Sequence, residues 1–356
     1  MSIATDTVAN ENHVVIVSGS MGSGHDEVAR ELTGRLTTLG IRSSVIDILR
    51  CLPACLGQLI ATGYYSTATF APWLLDLSWR STQSDSSSSS RLLTRASRTR
   101  LLRHIRGARV AVSVHPFATQ ALGAIKGSGA YQGPTVSYLT DPAPHDMWIH
   151  RDIDYHLAVT ECTARAATAA YGVSVRCGGP LAAPRFRAGI SGARRLVRGE
   201  LGVPDGTVLA LVASGSHGLG QAVRSARAVR AAGLRPVVIC GRNAGLRRRL
   251  THAGIQALGW RDDIQRLMAA ADIMVHNAGG LTLTEAMVTG LPAVSFLPIA
   301  GHGVANARFL ERNGMAPWAR TVADLQYYGG LLAAGQRRPL PPATETAAQF
   351  IAGLCG

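Results

Sequence analysis

The stretch Asp272-Ile-Met-Val-His-Asn-Ala-Gly-Gly-Leu-Thr-Leu-Thr-Glu-Ala-Met-Val-Thr-Gly-Leu-Pro292 holds a strand, a glycine turn and the opening turns of a helix. Its apolar run 273–276 suits a strand covered on both faces, as in a parallel sheet. Gly279 and Gly280 let the backbone turn tightly, so their N–H groups and the positive end of the following helix can hold an anion. Thr282 adds a hydroxyl donor, and Glu285 lies one turn inside, where a carboxylate can accept both hydroxyls of a ribose.

The same unit recurs on either side. Strands are expected at 208–213, 236–240, 255–258, 273–276 and 293–297, alternating with helices at 221–232, 244–253, 262–270, 281–289 and 304–313. Upstream, the run His13-Val-Val-Ile-Val-Ser18 leads into Gly19-Ser-Met-Gly-Ser-Gly24 and an amphipathic helix over 25–39, with Val28, Ala29, Leu32 and Leu36 on one face. Further strands are expected at 41–48, 109–114, 135–139, 155–159 and 174–177, with helices at 91–109 and 160–170. Strands alternating with helices of this length specify parallel sheets joined by right-handed crossovers. The fold class is α/β, with two Rossmann-like domains facing a cleft. A composition break at Gly179-Pro-Leu-Ala-Ala-Pro184 and the proline-rich run Arg338-Pro-Leu-Pro-Pro342 divide the chain into 1–183, 184–335 and a hinge with a last helix over 336–356.

The chain has 356 residues, 47% of them hydrophobic and 16% charged, enough to bury a large core and too apolar for a disordered chain. The formal net charge is +14, and 35 of the 36 basic residues are arginine. That skew reflects genome composition, while the excess of positive charge calls for anionic partners. No basic motif is interleaved with aromatics, so nucleic acid is not expected as a partner. Six cysteines form no C-x-x-C pair and no zinc spacing, so neither a structural metal nor a disulfide framework is expected. The N-terminal segment lacks a signal-peptide pattern, and a reduced cytoplasm is the expected compartment.

Residues 51–75 carry no charge, yet Pro53, Gly57, Gly63 and Pro72 interrupt them, which is too broken for a transmembrane helix. Two readings fit: buried core helices, or a surface dipping into the membrane interface with Tyr64, Tyr65, Phe70, Trp73 and Trp79 as anchors. The basic stretch 91–109 is compatible with the second. Ser81 to Ser90 reads as a serine-rich loop.

Two glycine turns, at 19–24 and 214–220, each open one half of the chain. Neither continues as G-K-[ST], and neither carries the dinucleotide fingerprint, so ATPase and dehydrogenase chemistry are disfavoured. Taken together, several spaced motifs resemble the glycosyltransferases of the B fold. The nearest resemblance is to the family of monogalactosyldiacylglycerol synthases and processive diacylglycerol glucosyltransferases, related to the N-acetylglucosaminyltransferase that forms lipid II. The motifs are Ser20-Met-Gly-Ser-Gly-His25, Ser113-Val-His-Pro116, Thr140-Asp141 with His145, Trp148 and His150, Gly178-Gly-Pro180 with Phe186, Cys240-Gly-Arg-Asn243, the block around Glu285, and Gly290-Leu-Pro292.

The resemblance implies inverting transfer of a hexose from a UDP-sugar, without metal or cofactor, to a lipid or other hydrophobic acceptor. It makes His25 the first candidate for general base or acceptor-positioning residue, with Asp141 as the second catalytic candidate. It places Gly22, Gly24, His145 and Trp148 around the acceptor. At the donor site it places Gly215, Ser216, His217, Gly241, Arg242, Asn243, Trp260, Gly279, Gly280, Leu281, Thr282, Glu285, His302 and Asn306. It also implies peripheral contact with the anionic inner face of the cell membrane. The chain departs from the family three times: Gly279-Gly-Leu-Thr282 stands for a proline-bearing turn, Ala300-Gly-His-Gly303 for the sugar-reading P-G-Q-E, and the loop Gly215-Ser-His-Gly-Leu-Gly220 has fewer glycines than usual while still placing His217 near the diphosphate. The sugar is therefore left open. A soluble secondary-metabolite acceptor, a UDP-sugar 2-epimerase of the same fold and a non-catalytic nucleotide-sugar binder are the competing readings.

Overall fold

A computed structural model describes residues 13–20, 23–53, 56–70, 88–187, 193–218 and 220–356. Two six-stranded sheets form the molecule, and every strand pair in them is parallel. In the first sheet β1 (His13–Ser18), β2 (Arg42–Asp47), β3 (Val110–Ser113), β4 (Thr135–Leu139), β5 (Tyr155–Ala158) and β6 (Val175–Cys177) lie in the order β2-β1-β3-β4-β5-β6. The second contains β7 (Leu209–Ala213), β8 (Arg235–Ile239), β9 (Gln256–Leu258), β10 (Ile273–His276), β11 (Ala293–Phe296) and β12 (Trp318–Ala319). Their order is β12-β11-β10-β7-β8-β9.

Helices cover both faces of each sheet, which is why the central strands read as unbroken apolar runs. One face of the first sheet packs Val28, Leu32 and Leu36 of the helix Ser23–Thr38, and its other face packs Leu101 and Ile105 of the helix Ser88–Ile105. The C-terminal helix Ala347–Gly353 lies with the first group: Ala347, Ala348 and Ile351 are buried in the first sheet's core. The chain thus crosses between the halves twice, first near 178–187 and again near 335–346. The crossings touch each other, with Ala347 N donating to Gly178 O at 2.7 Å and Arg187 Nη1 to Leu340 O at 3.2 Å.

The expected strands occur within one or two residues of their expected ends. Not expected were the helices Pro116–Gly127, Ala193–Glu200 and Val322–Ala334 and the short β12. The basic stretch forms the helix Ser88–Ile105, which therefore begins inside the expected serine loop, and residues 81–87 of that loop lie outside the described residues. Within 51–75, Cys51 and Leu52 are buried and the helix Leu56–Phe70 sets Leu56 and Ile60 against the first sheet's core, while Leu59 is 63% exposed. The side chains of Tyr64, Tyr65 and Phe70, and the whole of Trp73 and Trp79, lie outside the described residues. No described helix is long and apolar enough to cross a membrane.

Candidate functional site

In each sheet the direction of strand addition reverses once, between β1 and β3 and between β7 and β10. Loops leaving the carboxyl ends of strands diverge at such a point and leave a crevice. Here the two crevices face each other, and their loops line one groove. Its first chamber, a cavity of about 210 Å³, lies between Gly24, His25, Thr140 and Asp141 on one side and Gly215, His217, Asn277, Gly280 and His302 on the other. A second chamber of about 150 Å³ runs on past Glu27, Arg185, Gly241, Trp260, Arg261 and Glu285. Ser214, Gly215, Ser216, Leu281 and Thr282 wall both chambers, so they form one continuous site.

His25 sits in the first turn of the helix Ser23–Thr38. Its Nδ1 is 2.8 Å from Val114 O, and a carbonyl can only accept, so Nδ1 carries the proton and Nε2 keeps a lone pair. Burial lowers the pKa of this imidazole, and the negative charge of Asp141 opposes that only in part, so the ring is neutral at pH 7. Asp26 holds the preceding loop by accepting from Ser18 Oγ (2.6 Å) and Ser20 Oγ (3.1 Å). Behind His25, the His115 ring meets it edge-on with centroids 4.6 Å apart. His115 accepts from Phe117 N at the start of the helix Pro116–Gly127, and burial keeps it neutral as well. Gly19 packs onto that ring so closely that a Cβ would fall 2.6 Å from its atoms.

Asp141 is fixed by its neighbours. Trp148 Nε1 donates to Oδ2 at 2.9 Å and His145 Nε2 to the same oxygen at 3.4 Å. Burial alone would raise this carboxyl, but hydrogen bonding and charge from His145, the field of His302 and the Trp148 bond outweigh it, so the group stays ionised. Trp148 is fully buried, and neither it nor His145 lines the groove. The expectation that these two contact an acceptor is corrected: their rings are turned inward to hold Asp141.

On the opposite wall the helix Gly280–Thr289 aims its N-terminus into the first chamber beside Gly279, Leu281 and Thr282. Ala278, just before it, has φ 65°, a left-handed conformation that costs a non-glycine residue about 1–2 kcal/mol. Two side chains hold it there: Ala278 N donates to His276 Nδ1 at 3.0 Å and Ala278 O accepts from Asn306 Nδ2 at 3.1 Å. Gly215, Ser216 and His217 face the same chamber, with Ser216 Oγ 2.9 Å from His217 Nδ1. Ser23 N reaches Ser216 Oγ across the groove at 3.4 Å.

In the second chamber Glu285 stands in the second turn of its helix. Burial pushes its pKa up to about 8, with Arg185 pulling it down and Glu27 pushing it further up. Arg242 lays its guanidinium over the Trp260 ring, 4.5 Å from the centroid, and Trp260 is 42% exposed to the chamber. Arg242 also donates its backbone N–H to Ser216 O at 2.9 Å, and its charge adds to burial in lowering the pKa of His217. Asn243, expected at the donor, instead caps the helix Ala244–His252 by accepting from Leu246 N at 2.8 Å, and it donates to His217 O at 3.1 Å. Asn306, also expected there, is 1% exposed and lines neither chamber. Gly22 lies outside the described residues.

Where the family carries a carboxylate, a Cβ at Gly303 would meet Ile299 Cβ at 3.1 Å and Asn277 O at 3.2 Å. The loop is packed for glycine, and His302 alone faces the chamber from this segment's polar side chains. Residues that sequence reasoning gave no role are His115, Asn277 and Arg185. His115 stood inside a motif already singled out, whereas Arg185 had no signal beyond lying at the domain junction. Among the described residues no group of three His, Cys, Asp or Glu side chains is placed to hold a metal ion.

Comparison with known proteins agrees with this geometry. Residues 25–175 match the family described as monogalactosyldiacylglycerol (MGDG) synthase, and residues 207–325 match glycosyl transferases group 1. A processive diacylglycerol beta-glucosyltransferase of Bacillus pumilus is 28% identical over 51% of this chain and 50% of its own. The chain thus spans about half the length of the first curated relatives it matches. An enzyme of the same name from Bacillus cereus is 23% identical over 88% of this chain and 83% of its own. Among solved structures, Acinetobacter baumannii MurG superposes with TM-score 0.56 at 17% identity, covering 97% of this chain and 99% of that one. Arabidopsis thaliana UGT89C1 complexed with UDP gives TM-score 0.60 at 13% identity, covering 97% and 100%. The protein has the B fold of glycosyltransferases and is related to the MGDG synthase and diacylglycerol glucosyltransferase group.

Proposed function

We propose that the protein is an inverting, metal-independent glycosyltransferase that moves a hexose from a UDP-sugar to a hydroxyl of a lipid or other hydrophobic acceptor. The observation that carries this reading is His25, whose Nδ1 is tied to Val114 O while its ring lines a groove whose far wall is a helix N-terminus. In this reading the acceptor hydroxyl attacks the anomeric carbon and gives its proton to His25 Nε2. The bond to UDP breaks, and the leaving diphosphate is stabilised by the N-terminus of the helix Gly280–Thr289 and the loop at Gly215–Ser216. Uridine occupies the chamber of Trp260 and Glu285, the ribose hydroxyls meeting the carboxylate. Asp141, ionised and close to His25, stabilises the imidazolium that forms.

The acceptor belongs to the first half, and its lipid character is supported by the activity for which the Bacillus relatives are named. We place the protein at the cytoplasmic face of the membrane, held by the uncharged segment 51–75 and the arginines of the helix Ser88–Ile105. Two assays test this. With a panel of UDP-sugars and extracted lipids, wild type yields a glycolipid visible by mass spectrometry, and His25→Ala lowers the rate by about 10²–10⁴-fold. Isomerised nucleotide sugar without acceptor would identify an epimerase, and product on a soluble aglycone alone would overturn the lipid acceptor. Co-sedimentation with anionic vesicles at low salt, lost at high salt, is expected of the membrane contact.

A further inference from the structure

Asn306 was expected to read the donor sugar, yet its amide is buried and away from both chambers of the groove. It joins three groups that belong to different parts of the molecule. From the helix His302–Arg312 its Oδ1 accepts from Ala143 N at 3.1 Å, across the cleft in the first half. Its Nδ2 donates to Asp141 Oδ1 at 3.4 Å, again across the cleft, and to Ala278 O at 3.1 Å within its own half. Its one acceptor and both amide hydrogens are thus engaged at the base of the groove.

We infer that Asn306 is a positioning residue that clasps the two halves together and sets, through one amide, both the orientation of Asp141 and the left-handed turn at Ala278. The chemistry of the amide suits this and little else does. A carboxylate at this place would repel Asp141, and an alkyl group would leave Asp141 Oδ1, Ala143 N and Ala278 O without this partner in a buried site. Asp141 Oδ2 is already held by Trp148 and His145 from the first half, so Oδ1 is the oxygen left for the second half to grip. Ala278 precedes the helix end assigned to the diphosphate, so the clasp joins the donor turn to the acceptor-side carboxylate through a single side chain. Its bearing on transfer rests on the glycosyl-transfer reading. The clasp itself does not.

The test compares full-length wild type, Asn306→Ala, Asn306→Asp and the double exchange Asn306→Asp with Asp141→Asn. Circular dichroism establishes that each is folded, small-angle scattering reads the separation of the halves, and calorimetry reads the affinity for UDP. Both single variants are expected to have a larger radius of gyration than wild type. The double exchange restores an amide-to-carboxylate contact across the cleft and returns the radius to that of wild type. UDP binding is expected to weaken about tenfold in Asn306→Ala, the loss of one buried hydrogen bond. It stays weak in the double exchange, because neither variant supplies a donor to Ala278 O. Should Asn306→Ala fail to fold, the isosteric Asn306→Asp and its double exchange carry the same comparison. Scattering curves identical to wild type in the single variants, or a double exchange as expanded as Asn306→Asp, overturn the clasp. A wild type that does not bind UDP overturns the transfer reading, and the scattering result still decides the clasp.

Discussion

At the residue scale two groups tie function to pH. His25 works as a base only while neutral, and burial holds its pKa below the usual imidazole value. With donor saturating, so that the titration of Glu285 drops out, kcat/KM for the acceptor is therefore expected to rise with pH and to level off below about 6.5, the ordinary imidazole value. A rising limb centred at or above that value would remove His25 from the role. Glu285 runs the other way. Its folded pKa is near 8, above its ordinary value, so the folded state holds a proton that the unfolded state has released. Its contribution to stability therefore falls as pH rises between those values. Arg185, Glu27, Arg261 and Asp262 face the same chamber and set the local field. Glu285→Gln is expected to raise the melting temperature at alkaline pH, where it removes a buried charge. Uridine brings no phosphate of its own. Its affinity for wild type is expected to increase from about pH 6 to about pH 9 as the carboxylate forms, and in Glu285→Gln this pH dependence disappears.

At the scale of elements, the loop 19–20 and the His115 that caps the helix Pro116–Gly127 act as one unit. A methyl at position 19 has no room, and His115 cannot retreat without pushing on His25. Gly19→Ala is expected to cost about 1–3 kcal/mol of stability. It should slow transfer on the order of 10²-fold through the misplaced base. A thermal melt beside a turnover assay separates the two effects, and an active variant with a lowered melting temperature would break the link. These elements also show why some of the fold was readable in the sequence. Apolar runs such as Val14–Val17 announce strands because helices cover both faces of the sheet. The helix Pro116–Gly127 carries a start signal in His115-Pro116, inside a motif that serves in the sequence only as part of the family resemblance. The helix Val322–Ala334 begins with a capping box, Thr321 and Asp324, yet Gly329-Gly330 interrupts its helical pattern. The family resemblance assigns Asn306, Trp148 and Asn243 to ligands. Their partners lie across the tertiary fold, from Asp141 to His217, and no local spacing encodes that.

At the scale of the whole molecule, the C-terminal segment belongs to the half in which the chain began. Phe350 and Ile351 sit against the first sheet, and burying such side chains contributes about 2 kcal/mol each. Removing residues 343–356 is expected to lower the melting temperature on the order of 10 °C. The truncated chain should also expose apolar surface to a hydrophobic dye, while the second half keeps its secondary structure. An unchanged melt would mean that the helix Ala347–Gly353 adds nothing to that core.

That arrangement also orders events in time. Synthesis delivers a chain from its N-terminus, and domains tend to fold as they emerge. The first sheet is complete once β6 has left the ribosome, but one patch of its core stays open to water until Ala347 to Ile351 follow, long after β6 and beyond the whole of the second sheet. The half made first is therefore finished last, and a ribosome stalled anywhere after β6 and before Thr346 would hold a nascent chain with a greasy, unsealed flank for chaperones to grip.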